Sequence, residues 1–182
     1  PYLTVLLMKY FIWSCAIVLL GTGIFLATVE PSHAAESCTV TSVVSGADTQ
    51  LQGGGAASSA NVSSYWTASI AGAPWVWESA APSKPSADQT VSFTQDFTVA
   101  AAPGSATLLI AADDLYNVQI NGTQVAQITQ ADTFMQVGSY DVAGALVSGT
   151  NTITVTATNL SYGGTYTAEQ NPAGLSYRID ID

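Results

Sequence analysis

Alternating apolar and polar positions dominate the second half of the chain. Residues 91–99 (VSFTQDFTV), 152–158 (TITVTAT) and 175–181 (LSYRIDI) carry most of their apolar side chains at every second position. A period of two predicts strands with one buried and one wet face, as in antiparallel sheets. Residues 105–112 (SATLLIAA) are apolar at consecutive positions, which predicts a central strand, and residues 39–44 (TVTSVV) predict a first strand.

Turn residues divide these segments into about eight to ten short strands. Asn121-Gly122 lies between residues 116–121 and 123–128, and this dipeptide predicts a type I′ hairpin because both central residues need positive φ. The Gly, Ala and Ser residues of 53–64 predict a loop, and 143–147 predicts a single helical turn. Many short strands with frequent breaks predict an all-β fold, a jelly-roll β-sandwich of two antiparallel sheets.

The N-terminal segment differs from the rest because residues 10–29 form a continuous apolar run. Ser32 and Ala34 place small residues at the positions that signal peptidase requires. We therefore predict upstream residues plus a signal peptide over 1–35, cleaved after Ala34 or one residue later, and a mature domain over 36–182. The run is also nearly long enough to cross a bilayer, so an uncleaved membrane anchor is the alternative.

Composition narrows the classes of function. The chain has 182 residues and a net charge of −10, with only three Lys and Arg residues. Nucleic-acid binding needs clustered cations that neutralise phosphate, so we expect no nucleic-acid partner. We expect contact with a membrane only through an uncleaved N-terminal segment, because anionic lipid heads also attract cations. The export signal predicts a secreted or cell-surface protein.

Candidate catalytic chemistry is sparse in the mature chain. The only histidine, His33, lies in the predicted signal segment, which excludes a Ser-His-Asp or Cys-His mechanism and a His/Cys zinc site after cleavage. Cys38 is the single mature cysteine, either buried on the first strand or joined to a second chain. The carboxylates Asp113, Asp114, Asp132 and Glu169 match no glycosidase spacing, so we predict that the protein is not an enzyme.

Five segments in a fixed order carry a family resemblance. They are WTASIAGAPWVW (66–77), VSFTQDFTV (91–99), SATLLIAADDLYNVQINGTQV (105–125), YDVAGALVSGTNTITVTATN (140–159) and NPAGLSYRIDI (171–181). In this order and spacing they resemble the galactose-binding-domain-like family of bacterial secreted and surface proteins. The resemblance implies an eight- or nine-stranded jelly roll. Members bind sugars, bind other ligands or only support a neighbouring domain, so the fold does not specify the function.

Asp113-Asp114 is the strongest polar signal. Adjacent aspartates at a strand end can bind Ca²⁺, which prefers carboxylate and carbonyl oxygens, and Glu169 and Asn159 could add ligands. The alternative is turn chemistry, in which the aspartates accept backbone N–H groups and fix the bend. We therefore predict no certain cofactor and name a structural Ca²⁺ at Asp113 and Asp114 as a hypothesis.

Aromatic residues supply the candidate ligand contacts, because sugars stack their apolar faces on Trp and Tyr rings. Trp75 and Trp77 share a strand face and are expected in the core. Tyr162 and Tyr166 flank two glycines in a polar loop, and with Glu169 they are the predicted ligand-binding residues. The alternative is a flexible loop without a ligand.

These observations predict an exported, non-catalytic binding module whose partner is a polysaccharide or cell-surface glycan. The alternative is a structural or adhesive cell-surface subunit with no small-molecule ligand, which the low charge and the Thr-rich strand faces also fit.

Overall fold

The computed structural model describes residues 41–130 and 133–182. Of these described residues, 46% are in strands and 4% in helices, which confirms the all-β prediction. The strands are β1 (Thr41–Val44), β2 (Gln50–Leu51), β3 (Ser58–Ser59), β4 (Val76–Trp77), β5 (Gln89–Val99), β6 (Ala106–Asp113), β7 (Leu115–Ile120), β8 (Thr123–Ile128), β9 (Gly138–Asp141), β10 (Gly149–Asn159) and β11 (Gly174–Ile181), with 3-10 turns η1 (Thr133–Met135) and η2 (Ala143–Ala145). The predicted signal segment 1–35, Cys38 and Asp132 lie outside the described residues.

The strands form two antiparallel sheets, which confirms the β-sandwich. The first sheet has the order β3-β4-β11-β6-β9, with β1 also paired to β11, and the second has the order β2-β5-β10-β7-β8. Successive long strands from β5 to β7 and from β8 to β11 change sheet, as in a jelly roll. More strands form than the pattern predicts because β2, β3 and β4 have two residues each, too few to show a period.

The core lies between the two sheets and follows the predicted alternation. Ile153, Val155 and Ala157 of β10 are buried, while the threonines between them are only partly covered. The inward side chains of β11 are buried as well: Leu175, Tyr177, Ile179 and Ile181. These inward faces belong to one hydrophobic cluster, which is the main apolar contribution to stability.

The first sheet differs from the prediction of one wet face. The loop over residues 67–74 covers its outer side, where Ala68, Ile70 and Ala73 pack with Ala111 of β6. Ser176 was predicted to face water, but it is buried and donates a hydrogen bond of 2.9 Å to the Ala73 carbonyl. This covering explains why β6 is apolar on both faces. It also lies between β11 and β9, which confirms that it is a central strand.

The predicted hairpin and helical turn are both present in the structure. Asn121 and Gly122 have φ of 52° and 77° and join β7 to β8, as a type I′ turn requires. The helical turn is a 3-10 turn, η2, and the Ala143 N–H donates to Asp141 at 3.1 Å. The predicted loop over 53–64 is wrong at Ser58–Ser59, which pairs with β4.

A buried polar contact joins the two sheets. The Tyr177 hydroxyl of β11 donates to Gln95 of β5 at 2.6 Å and lies 3.0 Å from the Thr49 hydroxyl. Burial raises the pKa of Tyr177 to about 12; the Thr49 hydrogen bond opposes this rise and the Asp48 charge adds to it. Burial likewise raises the pKa of Tyr116, which shares a hydrogen bond with Tyr140.

These tyrosines predict loss of stability at high pH. Because the folded chain holds the Tyr177 proton more tightly than the unfolded chain, the stabilisation is complete below the unfolded pKa of about 10. It falls as pH rises through the folded pKa of about 12. Urea unfolding between pH 8 and 12 measures this effect. Tyr177→Phe should cost about 1–3 kcal/mol at pH 8 by leaving Gln95 without this donor, and should flatten the alkaline decline. A flat profile in the native chain would contradict the prediction.

No helix in residues 41–130 or 133–182 has the length and apolar character needed to span a bilayer.

Candidate functional site

A cleft opens at the end of the sandwich where β6 and β10 finish and β11 begins. Gly174 pairs with Asp113 at this end of the first sheet, and Asn159 ends β10 in the second. Loops from both sheets surround an open space of about 270 Å³, which we name the acidic cleft. Its lining residues are Ser63, Tyr65, Trp66, Asp113, Asp114, Phe134, Tyr162, Tyr166, Gln170, Asn171 and Pro172.

Two carboxylates line the inner part of this cleft. Asp113 and Asp114 are only 5% and 2% exposed. The Trp66 indole N–H donates to Asp113 Oδ2 at 2.7 Å, and the Leu160 backbone N–H donates to Asp114 Oδ2 at 2.8 Å. These hydrogen bonds orient both carboxyl groups.

The donors to this acid pair come from distant parts of the chain. Trp66 is 47 residues from Asp113, and Leu160 is 46 residues from Asp114. Asp114 therefore accepts a backbone N–H, as the turn hypothesis expected. The donor, Leu160, lies in another loop and not in the bend that contains Asp114. The Asp114 N–H also donates to the Thr158 carbonyl at 2.8 Å. The aspartates thus connect the loops that form the cleft walls.

A tryptophan stack supports one wall. The rings of Trp66 and Trp75 lie 4.3 Å apart at an angle of 32°. They rest on Gly174, where an added Cβ would approach Trp66 to 2.6 Å and Trp75 to 2.9 Å. Trp77 is fully buried beside Phe93, which confirms its predicted place in the core. Trp75 is only partly buried, because it lies between the core and the covering loop.

Tyrosines form the outer rim of the acidic cleft. Tyr162 is 65% exposed and its hydroxyl lies 3.4 Å from Asp114 Oδ1. Tyr166 is half-buried against Gly164, where a Cβ would approach the tyrosine ring to 2.2 Å. The structure thus brings the predicted contacts Tyr162 and Tyr166 together with Asp113 and Asp114.

Side-chain hydrogen bonds hold the loop that carries these tyrosines. The Asn171 amide donates to the carbonyls of Pro85 and Leu160 at 2.8 and 3.1 Å. Asp88 accepts the Ser161 N–H at 2.8 Å, and the Tyr166 N–H donates to the Ser86 hydroxyl at 2.7 Å. These contacts position the loop against residues 85–88.

A second, smaller space adjoins the first, and we name it the side cleft. It measures about 190 Å³ and is lined by Asn61, Val62, Ser63, Ser64, Tyr65, Ala80, Ala81, Pro82, Ala168, Glu169 and Pro172. Glu169 lies here, apart from the acid pair. Its carboxylate accepts its own backbone N–H and a hydrogen bond from Thr167, which lower its pKa.

Tyr65 is the residue that the sequence argument missed. It is 75% exposed and lines both clefts. The available signal was an aromatic side chain in a polar stretch, Ser63-Ser64-Tyr65, directly before the buried Trp66. Trp75 and Trp77, which follow in the sequence and were expected in the core, favoured a core position for this segment as well.

The residues suited to a cation are few. Among the described residues, no group of three or more His, Cys, Asp or Glu side chains could hold a metal. Asp113 and Asp114 supply two carboxylates. Asn159 is fully buried, and neither polar atom of its amide has a hydrogen-bond partner within residues 41–130 and 133–182. It follows Thr158 and precedes Leu160, the two residues whose backbones bond to Asp114.

Comparison with known proteins gives similarities of fold. No protein-family model matches the chain, and no curated protein matches it. Among solved structures, a Streptomyces avermitilis alpha-L-rhamnosidase complexed with L-rhamnose is 24% identical over 59% of this chain, with a TM-score of 0.44. A lectin from Pleurotus ostreatus in complex with GalNAc is 24% identical over 59% of this chain, with a TM-score of 0.43.

An uncultured Clostridium sp. beta-glucuronidase is 11% identical over 79% of this chain, with a TM-score of 0.43. The matched parts make up 10% of the rhamnosidase, 29% of the lectin and 29% of the glucuronidase. The similarity therefore concerns a small part of each of these proteins. Fold and cleft together define a small β-sandwich domain with an acidic, tyrosine-lined cleft at one end.

Proposed function

We propose that the chain is a non-catalytic glycan-binding module of a secreted or cell-surface protein. The observation that carries this proposal is the acidic cleft, in which exposed tyrosine rings and two oriented carboxylates line the same open space. Sugar rings stack on tyrosine, and carboxylates accept hydrogen bonds from sugar hydroxyls. An apolar surface with a few fixed polar groups is the usual composition of a small-molecule site.

Charge selects the class of glycan. Lys84 and Arg178, the basic residues of the described chain, line neither cleft, and Arg178 pairs with Asp180 at 2.6 Å on β11. The clefts instead contain Asp113, Asp114 and Glu169. A uronic acid or a sulfated sugar would meet charges of its own sign, which is costly in a partly buried site. The expected ligand is therefore a neutral or an amino sugar.

The positions of the acids support binding without catalysis. Glycoside hydrolysis needs two carboxyl groups on either side of the scissile bond. Asp113 and Asp114 follow each other at the end of one strand, and Glu169 lines the side cleft. Binding, unlike hydrolysis, requires only that the carboxylates face the hydroxyl groups of the ligand.

A Ca²⁺ ion at the same acids is part of the proposal. Asp113 and Asp114 would hold it through their carboxylates, and the amide oxygen of Asn159 is a candidate third ligand. Because Ca²⁺ takes six to eight oxygens, waters or ligand hydroxyls would complete its coordination. The ion would offset the charge of these carboxylates, so the expected exclusion of acidic sugars applies to the chain without the ion.

Affinity-gel electrophoresis and calorimetry of the purified chain test this function. In EDTA, neutral and amino-sugar polysaccharides should retard the chain, whereas pectin and heparin should not. Running the series in Ca²⁺ and in EDTA separates the cation from the glycan: a bound cation predicts a lower melting temperature in EDTA, because a ligand of the folded state stabilises it. An unchanged melting temperature would remove the cation and leave the glycan proposal intact.

The same electrophoresis series can also contradict the proposed function. If no polysaccharide retards the chain in either buffer, the glycan-binding proposal is wrong. Stable self-association of the purified chain in sizing experiments would then favour a structural surface subunit.

A further inference from the structure

We infer that the acidic cleft and the side cleft form one continuous groove, so that the protein binds several consecutive sugar units rather than a single terminal sugar. This inference rests on the proposed function and extends it to the length of the ligand. Ser63, Tyr65 and Pro172 line both clefts. A ligand that leaves one cleft past these residues enters the other.

Size supports a joint site. The two spaces measure about 270 and 190 Å³. Ligand clefts generally hold roughly 300–1,000 Å³. Each cleft alone lies at or below the lower end of this range, and together they lie within it.

Tyr65 is placed at the junction by its neighbours. Its backbone N–H lies 3.3 Å from the Ser63 hydroxyl, and the next N–H, that of Trp66, donates to the Ser63 carbonyl at 3.2 Å. Trp66 is buried and bonded to Asp113, which anchors this turn in the sandwich. The backbone of Tyr65 is therefore fixed between the two clefts, and its exposed ring is available to a sugar that spans both.

The far walls of the side cleft are also held by hydrogen bonds. The Asn61 N–H donates to the Ala80 carbonyl at 2.7 Å. On the opposite side, the N–H groups of Gln170 and Asn171 both donate to the Thr167 carbonyl at 3.1 Å, which places Glu169 in a closed turn. A groove formed before the ligand arrives loses less entropy on binding.

The dependence of affinity on chain length tests this inference. The probes are monosaccharides and tetrasaccharides of the cello, manno and chito series, titrated by calorimetry into the full chain. In the native protein, the tetrasaccharide of the bound series should bind about tenfold or more tightly than its monosaccharide, an extra contact energy of about 1.4 kcal/mol.

Variants identify the groove as the source of this gain. Glu169→Gln should lower the tetrasaccharide affinity towards that of the monosaccharide, and Tyr65→Ala, at a residue that lines both clefts, should weaken the tetrasaccharide more than the monosaccharide. Tyr162→Ala is the matched control, because Tyr162 lines the acidic cleft but not the side cleft; it should weaken both ligands and keep their ratio. A statistical gain from repeated units would survive in all three variants.

The two proposals fail separately. If a monosaccharide binds and its tetrasaccharide binds within about twofold of it, less than about 0.5 kcal/mol, the groove is wrong and the glycan-binding function stands. A tetrasaccharide gain that survives in both Tyr65→Ala and Glu169→Gln also overturns the groove. If no member of the three series binds and no polysaccharide retards the chain, both proposals are overturned; if a polysaccharide does retard it, the length comparison is made with the oligosaccharides of that polysaccharide.

Discussion

Asp113→Asn and Asp114→Asn are each expected to weaken glycan binding by about twofold to thirtyfold. A hydrogen bond to a charged group contributes about 1.5–3 kcal/mol, against roughly 1 kcal/mol for a neutral pair, and about 1.4 kcal/mol corresponds to tenfold in affinity. The amide oxygen can still accept the Trp66 and Leu160 N–H groups, so both variants should keep the fold. Calorimetric titration with the bound oligosaccharide measures the loss.

The control for these variants is Asp96→Asn. Asp96 is exposed on β5, where it accepts the Thr152 hydroxyl at 2.6 Å, and it lines neither cleft. The Asp96→Asn substitution removes one negative charge outside both clefts, so the affinity of this variant should match that of the native chain. Equal affinity in all three variants would show that the carboxylate charges do not contact the ligand.

Gly174→Val should destabilise the domain by about 1–3 kcal/mol, the usual cost of inserting carbon atoms into a close-packed site. Even a single Cβ would lie 2.6 Å from the Trp66 ring and 2.9 Å from the Trp75 ring. These rings are stacked on each other and cannot turn away as a flexible side chain would. Urea unfolding, followed by tryptophan fluorescence, gives the change in the free energy of unfolding.

The same substitution should also impair binding. Displacement of Trp66 would lengthen its hydrogen bond of 2.7 Å to Asp113 and weaken one of the contacts that orient this cleft carboxylate. Gly144→Ala is the matched control, because a Cβ there meets nothing within 4 Å, and it should leave stability and affinity close to native. Native stability in Gly174→Val would mean that the stack is loosely held.

The sandwich itself could be predicted because its signals are local. The alternation in residues 152–158 and 175–181 follows from the pleat of each strand, and Asn121-Gly122 specifies its own turn. Gln95, by contrast, interrupted the apolar face of β5. Gln95 accepts a hydrogen bond from Tyr177 of the other sheet. The two residues are 82 positions apart, so no local pattern could predict this contact.

The outer face of the first sheet could not be predicted for the same reason. Ser176 has the polarity of a wet position, yet the loop over 67–74 crosses above it. The period-two pattern of a strand predicts which face a residue occupies, but it does not predict whether a loop from elsewhere in the chain covers that face. The path of that loop depends on the packing of Ala68 and Ile70 against Ala111.

The sequence named part of the lining of the clefts, and the role of these residues stays a prediction. Asp113, Asp114, Tyr162 and Tyr166 were chosen one by one from residue type, and the fold places all four in one cleft. Glu169 lies in the neighbouring cleft. Tyr65 was missed because the exposure of an aromatic residue in a loop depends on the loops around it, and the polar Ser63-Ser64 before it is a weak signal beside the buried Trp66 that follows.

The register of β11 has a practical consequence for where the domain can be attached to a surface or a label. Gly174 and Asp113 pair at the cleft, whereas Ile181 pairs with both Thr41 and Ala106 at the other end. At about 3.4 Å per residue, these eight residues separate the two ends by roughly 25 Å. Thr41 and Ile181 therefore lie side by side at the pole opposite the cleft. A sensor chip, a fluorescent fusion or a bead attached there would leave the groove facing solution.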